Sequence, residues 1–205
     1  TNTNTGGQIL MNSCTFASGG ASSGSGSAST TTQTVTKTFT ASSAQALQYA
    51  GTSSAFWRTD SKPKVGNWGY GAHTGWWFFG DDFEAIANKN VSKIEISFYR
   101  EKAGYYAATT HYLYAHSYET QPGTTSPSYN TSRVASLSVA AQTTGSVTIT
   151  DSAAISRIKA SKGICSVPPS QNSTYYSVMG ASMKVKFTYT EERRVDYRNK
   201  NNFYI

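Results

Sequence analysis

The sequence predicts an all-β protein: an antiparallel β-sandwich or jelly roll with one short helix, an extended N-terminal leader and a C-terminal arm. Three observations predict this fold. Ser, Thr, Gly and Tyr are abundant among the 205 residues, and charged residues make up only 14%, a composition that favours strands and turns over helices. Several segments alternate between apolar and polar residues, as half-buried strands do. These segments recur at the intervals typical of sandwiches and jelly rolls.

The first half of the chain contains most of the aromatic strand segments. Residues 35–40 alternate between Thr and other residues and predict a strand with one solvent-facing side. Residues 44–49 predict one helical turn or a loop. Residues 76–79 are four consecutive aromatic residues between glycines, and they predict a strand that is buried on both faces. Residues 91–100 alternate cleanly, and we expect residues 110–118 to form their hairpin partner.

The second half contains further short strand segments and the one predicted helix. The strand segments are marked by Leu137 and Val139, by Val147 and Ile149, and by residues 163–167, 175–179 and 183–189. Asp151 or Ser152 can cap a helix over residues 153–159. The spacing of Ile155 and Ile158 predicts that both side chains face the interior.

Composition divides the chain into three parts. Residues 1–33 are rich in Ser, Gly and Thr and predict a leader that is flexible or bound within an assembly. Residues 34–190 form the predicted β-sandwich domain. Residues 191–205 mix charged and aromatic residues, and they predict either a disordered tail or an arm that docks on another subunit. The candidate subunit-contact residues are Phe203, Tyr204 and Ile205. Because the chain does not begin with Met, we expect a processed product or a fragment.

The charge distribution limits the possible partners. The net charge is +7, from 18 basic and 11 acidic residues, but the basic residues are spread along the chain. Nucleic-acid binding favours a dense basic stripe, so we expect no nucleic-acid partner. A negatively charged cell-wall polymer remains compatible with this charge. No apolar run approaches the length of a membrane span.

Metal and cofactor chemistry is not expected. Cys14 and Cys165 lack zinc-site spacing, and we expect two free thiols, with Cys165 acting as a small buried apolar residue. The odd spacing of His111 and His116 places them on opposite faces of a regular strand, and His73 stands alone. The sequence contains no phosphate loop and no dinucleotide-binding motif.

The order of several segments carries a family resemblance. They are the Thr-rich entry strand at residues 35–40, then residues 56–60, the Gly/Tyr/Trp turn at 66–71, and residues 73–79, 93–100, 111–116 and 183–189. Together they resemble a C-terminal β-sandwich, or jelly-roll-like, module of tail-fibre and minor structural proteins of phages that infect Gram-positive bacteria. The resemblance implies a virion protein that displays a cell-surface-binding or structural module. It also implies a homo-oligomer, with a trimer favoured.

Aromatic residues in glycine-rich turns are the best ligand-binding candidates. All four tryptophans lie between residues 57 and 77. We expect Trp76 and Trp77 to lie in the core, whereas Trp68 occupies a turn, where it either stacks on a sugar ring or caps one end of the sandwich. Another aromatic pair follows Gly104 at a predicted hairpin tip, where loops often carry function; a plain turn or a subunit contact is the alternative. The candidate ligand-binding residues are Asn67, Trp68, Tyr70, His73, Tyr105 and Tyr106.

The remaining candidates for metal binding or catalysis are acidic residues. Asp81, Asp82 and Glu84 are close in sequence, and such groups can bind calcium or hydrolyse glycosides. Their spacing matches no calcium-binding loop, so we expect solvated carboxylates in a turn. Asp60 follows Arg58 closely, and an internal ion pair is as plausible as a catalytic role.

These observations favour a non-enzymatic virion protein, of the tail-fibre or decoration type, whose sandwich binds host cell-surface polysaccharide. It would contact other virion subunits and copies of itself. One alternative is a purely architectural capsid or tail protein whose two ends lock subunits together. Another is a polysaccharide-degrading enzyme that uses Asp60, Asp81 or Asp82.

Overall fold

The computed structural model describes residues 29–50, 54–69, 71–104 and 107–195. Within these residues the chain forms twelve strands, one α-helix and two short 3₁₀ helices. The strands are β1 (Ser29–Thr40), β2 (Ser43–Ala50), β3 (Ser54–Trp57), β4 (Lys64–Asn67), β5 (Ala72–Phe78), β6 (Asn90–Gly104), β7 (Thr109–His116), β8 (Ala135–Val139), β9 (Thr144–Ile149), β10 (Gly163–Val167), β11 (Ser177–Met179) and β12 (Lys184–Val195). The α-helix is α1 (Ser152–Lys159), and the 3₁₀ helices are Asp82–Ile86 and Ser173–Tyr175.

The strands form two layers, as the sequence predicts. The first layer has the order β1, β12, β6 and β9, and the second has the order β3, β2, β5, β10, β7 and β8. Strands β11 and β4 connect the layers, because β11 pairs with β6 and β4, and β4 pairs with β5. Every strand pair with a described register is antiparallel. The all-β sandwich with one short helix is therefore confirmed.

The main core lies between the two layers. Phe98 of β6 meets Trp77 of β5 with ring centroids 5.4 Å apart, and both side chains are fully buried. Phe39 of β1 and Phe187 of β12 make an edge-to-face contact at 5.8 Å. Such ring pairs contribute stability beyond the apolar area that they bury. Trp77 therefore links the second layer to the first.

A second apolar cluster lies on the opposite face of the second layer. Successive residues of a strand point to opposite faces, so Trp76 and Phe78 leave the main core and pack with Leu47 and Cys165. The long loop between β7 and β8 covers this cluster, since Trp57 Nε1 donates to the Thr124 carbonyl at 3.0 Å. The prediction that residues 76–79 are buried on both faces is thus confirmed.

The sequence made specific predictions for Cys165 and for helix α1, and the structure describes both. Cys165 is a free, buried cysteine, and burial raises the pKa of its thiol well above the usual value. The side chain of Asp151 caps α1 by accepting a hydrogen bond from the Ala154 backbone N–H at 2.8 Å. Ile155 and Ile158 are buried. Each of these predictions is confirmed, and Cys14 lies outside the described residues.

Three local predictions are wrong. Residues 44–49 belong to strand β2, because pairing with β3 and β5 overrides their weak local preference. Strand β7 is not the hairpin partner of β6; it lies between β10 and β8 in the other layer. The segment at 175–179 becomes extended only at Ser177.

No helix in the described residues has the length and hydropathy needed to cross a membrane.

Candidate ligand-binding site

Two of the predicted ligand-binding residues, Trp68 and His73, lie together at one small pocket. The pocket has a volume of about 110 Å³. We call it the Trp68 pocket, and it is lined by Gln48, Arg58, Lys64, Trp68, His73 and Tyr176. The Trp68 side chain is 54% exposed and packs against the Tyr176 ring, with centroids 5.6 Å apart and planes 31° from parallel. The Tyr176 ring also meets the edge of His73 at 5.8 Å.

Strand register explains why distant residues meet at this pocket. Gln48 of β2 lies opposite Phe56 of β3 and opposite His73 of β5. Directly opposed residues in antiparallel strands point to the same face, so these three side chains form one row. Arg58 follows β3 and donates from Nη1 to Gln48 Oε1 at 2.9 Å. The hydrogen bond holds the guanidinium beside the aromatic pair.

Two glycines allow the Tyr176 backbone to pass close to the sheet. A Cβ atom on Gly66 would lie 2.5 Å from Tyr176 N, and one on Gly104 would meet the Tyr176 carbonyl oxygen. Gly66 has φ +79, in the left-handed region that side chains disfavour. Gly66 therefore sets both the path of β4 and the position of the ring that supports Trp68.

We expect Gly66→Ala to lower the free energy of unfolding by about 2 kcal/mol or more, because left-handed backbone strain of about 1–2 kcal/mol adds to the clash with Tyr176. The matched control is Gly69→Ala, since Gly69 has φ +71 but no atom within 4 Å of an added Cβ. This control should show the conformational cost alone. Urea denaturation of both variants measures the difference, and equal losses would contradict the close approach at Gly66.

The charges at the pocket are unevenly compensated. Lys64 Nζ forms an ion pair with Asp60, so Asp60 pairs with Lys64 and not with Arg58 as the sequence suggests. Partial burial raises the pKa of Asp60, but the hydrogen bond and charge of Lys64 outweigh it, and the net pKa is lowered. Among the described residues, Arg58 forms no ion pair with a carboxylate.

The other titratable groups at the pocket are neutral near pH 7. Burial lowers the pKa of His73 further below neutrality, although its Nδ1 lies 3.3 Å from the Gly66 carbonyl oxygen. Burial also raises the pKa of the Tyr176 hydroxyl. The pocket therefore combines two aromatic rings, neutral hydrogen-bonding groups, the Arg58 guanidinium and the Lys64 ammonium, which is paired with Asp60.

Of the remaining candidate residues, the structure describes Asn67 alone. The Asn67 backbone N–H donates to the Asn172 carbonyl at 3.1 Å, and Asn67 does not line the pocket. The other candidates lie outside the described residues, and they are Tyr70, Tyr105, Tyr106, Phe203, Tyr204 and Ile205. Sequence reasoning missed four pocket residues, which are Gln48, Arg58, Lys64 and Tyr176. The sequence around Tyr176 does not mark it as a pocket residue, because only the close approach at Gly66 brings it to Trp68.

Two of the acidic residues after β5, Asp81 and Glu84, form ion pairs with Lys162. Lys162 Nζ contacts Asp81, lies 2.7 Å from Glu84 Oε1 and lies 3.5 Å from Glu119 Oε1. These hydrogen bonds and charges raise the pKa of Lys162. Asp82 is exposed. Across the described ranges, no group of three or more His, Cys, Asp or Glu side chains is arranged to hold a metal ion.

A larger hollow of about 490 Å³ lies beside α1. Its lining includes Ser117, Tyr129, Asn130 and Arg157. The Tyr129 ring packs against Tyr114 at 5.0 Å and belongs to the second apolar cluster. The hollow therefore offers hydroxyl groups and one cation but no exposed aromatic platform, and it suits sugar stacking less well than the Trp68 pocket.

Comparisons with known proteins do not supply a ligand for either hollow. No protein-family model matches this chain, and no curated protein matches it. At the Trp68 pocket, an exposed indole can pack on an apolar face of a ligand, while Gln48 and Arg58 can hydrogen-bond to the ligand's polar edge.

Proposed function

We propose that this chain is a phage virion protein whose β-sandwich binds host cell-surface glycan through the Trp68 pocket. The observation that supports this function best is the exposed Trp68 indole, supported from behind by Tyr176 and flanked by Arg58. A pyranose ring has apolar C–H faces and a polar edge. An aromatic platform beside hydrogen-bonding groups matches both features.

The exposure of Trp68 favours a binding role over a packing role. A tryptophan that only stabilises the fold gains most when it is buried, as Trp76 and Trp77 are. Trp68 instead leaves more than half of its side chain in solvent. Its contact with Tyr176 fixes one ring face, so that little conformational entropy is lost when a ligand packs on the other.

The virion location and the assembly rest on the family resemblance of the sequence. That resemblance favours a tail-fibre or decoration protein that acts without catalysis and assembles as a homo-oligomer, with a trimer favoured. A sandwich displayed on the virion would bring the Trp68 pocket to the host surface. Repetition of the pocket in an oligomer would raise the avidity of individually weak sugar contacts.

We expect Trp68→Ala to weaken binding to the recognised polysaccharide by at least about tenfold, because it removes the stacking surface. Binding is measured by biolayer interferometry against purified cell-wall polysaccharides from a panel of Gram-positive bacteria. Tyr99→Ala is the matched control, since Tyr99 is 43% exposed and does not line the pocket. The control should bind like the wild type.

Two results would count against this function. One is the absence of wild-type binding to every polysaccharide in the panel. The other is equal binding by the wild type and Trp68→Ala, with both proteins shown by circular dichroism to be folded. Binding lost equally in Trp68→Ala and Tyr99→Ala would also contradict a specific role for the pocket.

A further inference from the structure

The Trp68 pocket carries one positive charge in excess. Arg58 and Lys64 are the cations at the pocket, and Asp60, which pairs with Lys64, is the neighbouring anion. The Arg58 guanidinium interacts with a neutral amide oxygen, that of Gln48, at 2.9 Å. A partly desolvated guanidinium without a carboxylate partner attracts an anion more strongly than an exposed one does.

The pocket has the size of a substituent and not of a whole sugar ring. Its volume is about 110 Å³. Pockets that enclose complete small ligands are larger, at roughly 300–1,000 Å³. Trp68 lines this small space and is 54% exposed. A ligand can therefore place one compact group in the pocket while its ring remains on the indole.

We propose that the Trp68 pocket selects acidic glycans, with a carboxylate or phosphate substituent held by Arg58 while the sugar ring packs on Trp68. The guanidinium fork matches the geometry of both anions because it can donate two parallel hydrogen bonds. Gln48 fixes the position of the Arg58 Nη1 group through its side-chain oxygen. This inference rests on the proposed glycan-binding function and adds the ligand class to it.

The test compares polymers that differ in charge. The full chain is titrated with a polyuronate, with the same polymer after chemical reduction of its carboxyl groups to neutral hydroxymethyl groups, and with a polymer of phosphate-linked hexoses. We expect binding to at least one acidic polymer to be at least about tenfold tighter than to the neutral one. A preference for the polyuronate identifies a carboxylate as the bound group. A preference for the phosphate-containing polymer identifies a phosphate.

Two Arg58 variants separate charge from geometry. Arg58→Gln keeps hydrogen-bonding groups but removes the charge, so it should abolish the preference for the acidic polymer over the neutral one. Arg58→Lys keeps the charge without the planar fork and should retain only part of the preference. Lys62→Gln is the matched control, because Lys62 is an exposed cation paired with Glu101 that does not line the pocket.

The outcomes separate this inference from the function on which it rests. Binding to both acidic polymers that is no tighter than binding to the neutral one, or an acidic preference that survives in Arg58→Gln, overturns the inference. If Trp68→Ala still abolishes neutral-polymer binding in that case, the glycan-binding function stands. An acidic preference that depends on Arg58 but not on Trp68 supports the anion site and contradicts sugar stacking.

Discussion

Replacing Trp77 with Ala should lower the free energy of unfolding by about 3–5 kcal/mol, the range found for large aromatic residues in protein cores. Trp77 is fully buried and packs on Phe98 of the facing layer. Its Nε1 also donates to the Gly180 carbonyl at 3.1 Å. Truncation therefore leaves a cavity between the layers and removes a hydrogen bond from a part-buried carbonyl.

Urea denaturation followed by far-ultraviolet circular dichroism measures this loss without relying on indole fluorescence. Trp77→Phe provides a second variant that keeps most of the ring volume, and we expect a loss of about 1–3 kcal/mol for it. Trp68→Ala is the matched control, with a loss below about 1 kcal/mol, because that side chain is largely exposed. Equal losses in Trp68→Ala and Trp77→Ala would contradict the assignment of one indole to the core and the other to the surface.

The sequence could predict those features that depend on local order. Alternation identified the last strand, β12, because its Val185 and Phe187 face the core while Lys184 and Lys186 face outward. The helix was predictable because its cap and its apolar spacing are both local signals. Four consecutive aromatic residues also predicted burial on both faces, since an exposed run of this kind would be costly.

Strand partners and the composition of the pocket could not be predicted in the same way. The alternation of β7 shows which side chains share a face, but it does not show that β10 and β8 are its neighbours. Likewise, Trp68 and Tyr176 meet only because β4 and β11 pair. A glycine with φ +79 brings their backbones together, and such a close approach has no separate signature in one sequence.

Lowering the pH from 7 to 5 should destabilise the protein by about 4 kcal/mol through His111 and His116. Burial lowers the pKa of His111 to about 3, with a further contribution from the charge of Arg100. Burial lowers the pKa of His116 to about 4. An unfolded histidine titrates near 6.5, and each pH unit between the two pKa values costs about 1.4 kcal/mol per group. Lowering the pH from 6.5 to 5 therefore lowers the free energy of unfolding by about 2 kcal/mol for each histidine.

The sign of this pH effect on stability follows from which state, folded or unfolded, binds more protons. Above pH 6.5 both states hold neutral imidazoles, so these groups do not change the stability. Between about pH 6.5 and 4 the unfolded chain takes up protons that the folded state excludes, and the equilibrium shifts toward unfolding. His73, whose pKa is also lowered by burial, acts in the same direction. Carboxylates with lowered pKa values, such as Asp60, lose their contribution only at lower pH.

The hydrogen bonds of His116 explain why the folded protein disfavours a protonated imidazole at this position. They also suggest a variant that tests this explanation. If Nε2 donates to the Trp77 carbonyl at 3.1 Å, Nδ1 accepts from the Tyr118 backbone N–H at 3.3 Å, and protonating Nδ1 breaks the second bond. His116→Gln can keep a donor and an acceptor but does not titrate. Urea titrations at pH 7 and pH 5 should therefore show a loss about 2 kcal/mol smaller in His116→Gln than in the wild type. Equal losses in the two proteins would show that His116 is protonated in the folded state.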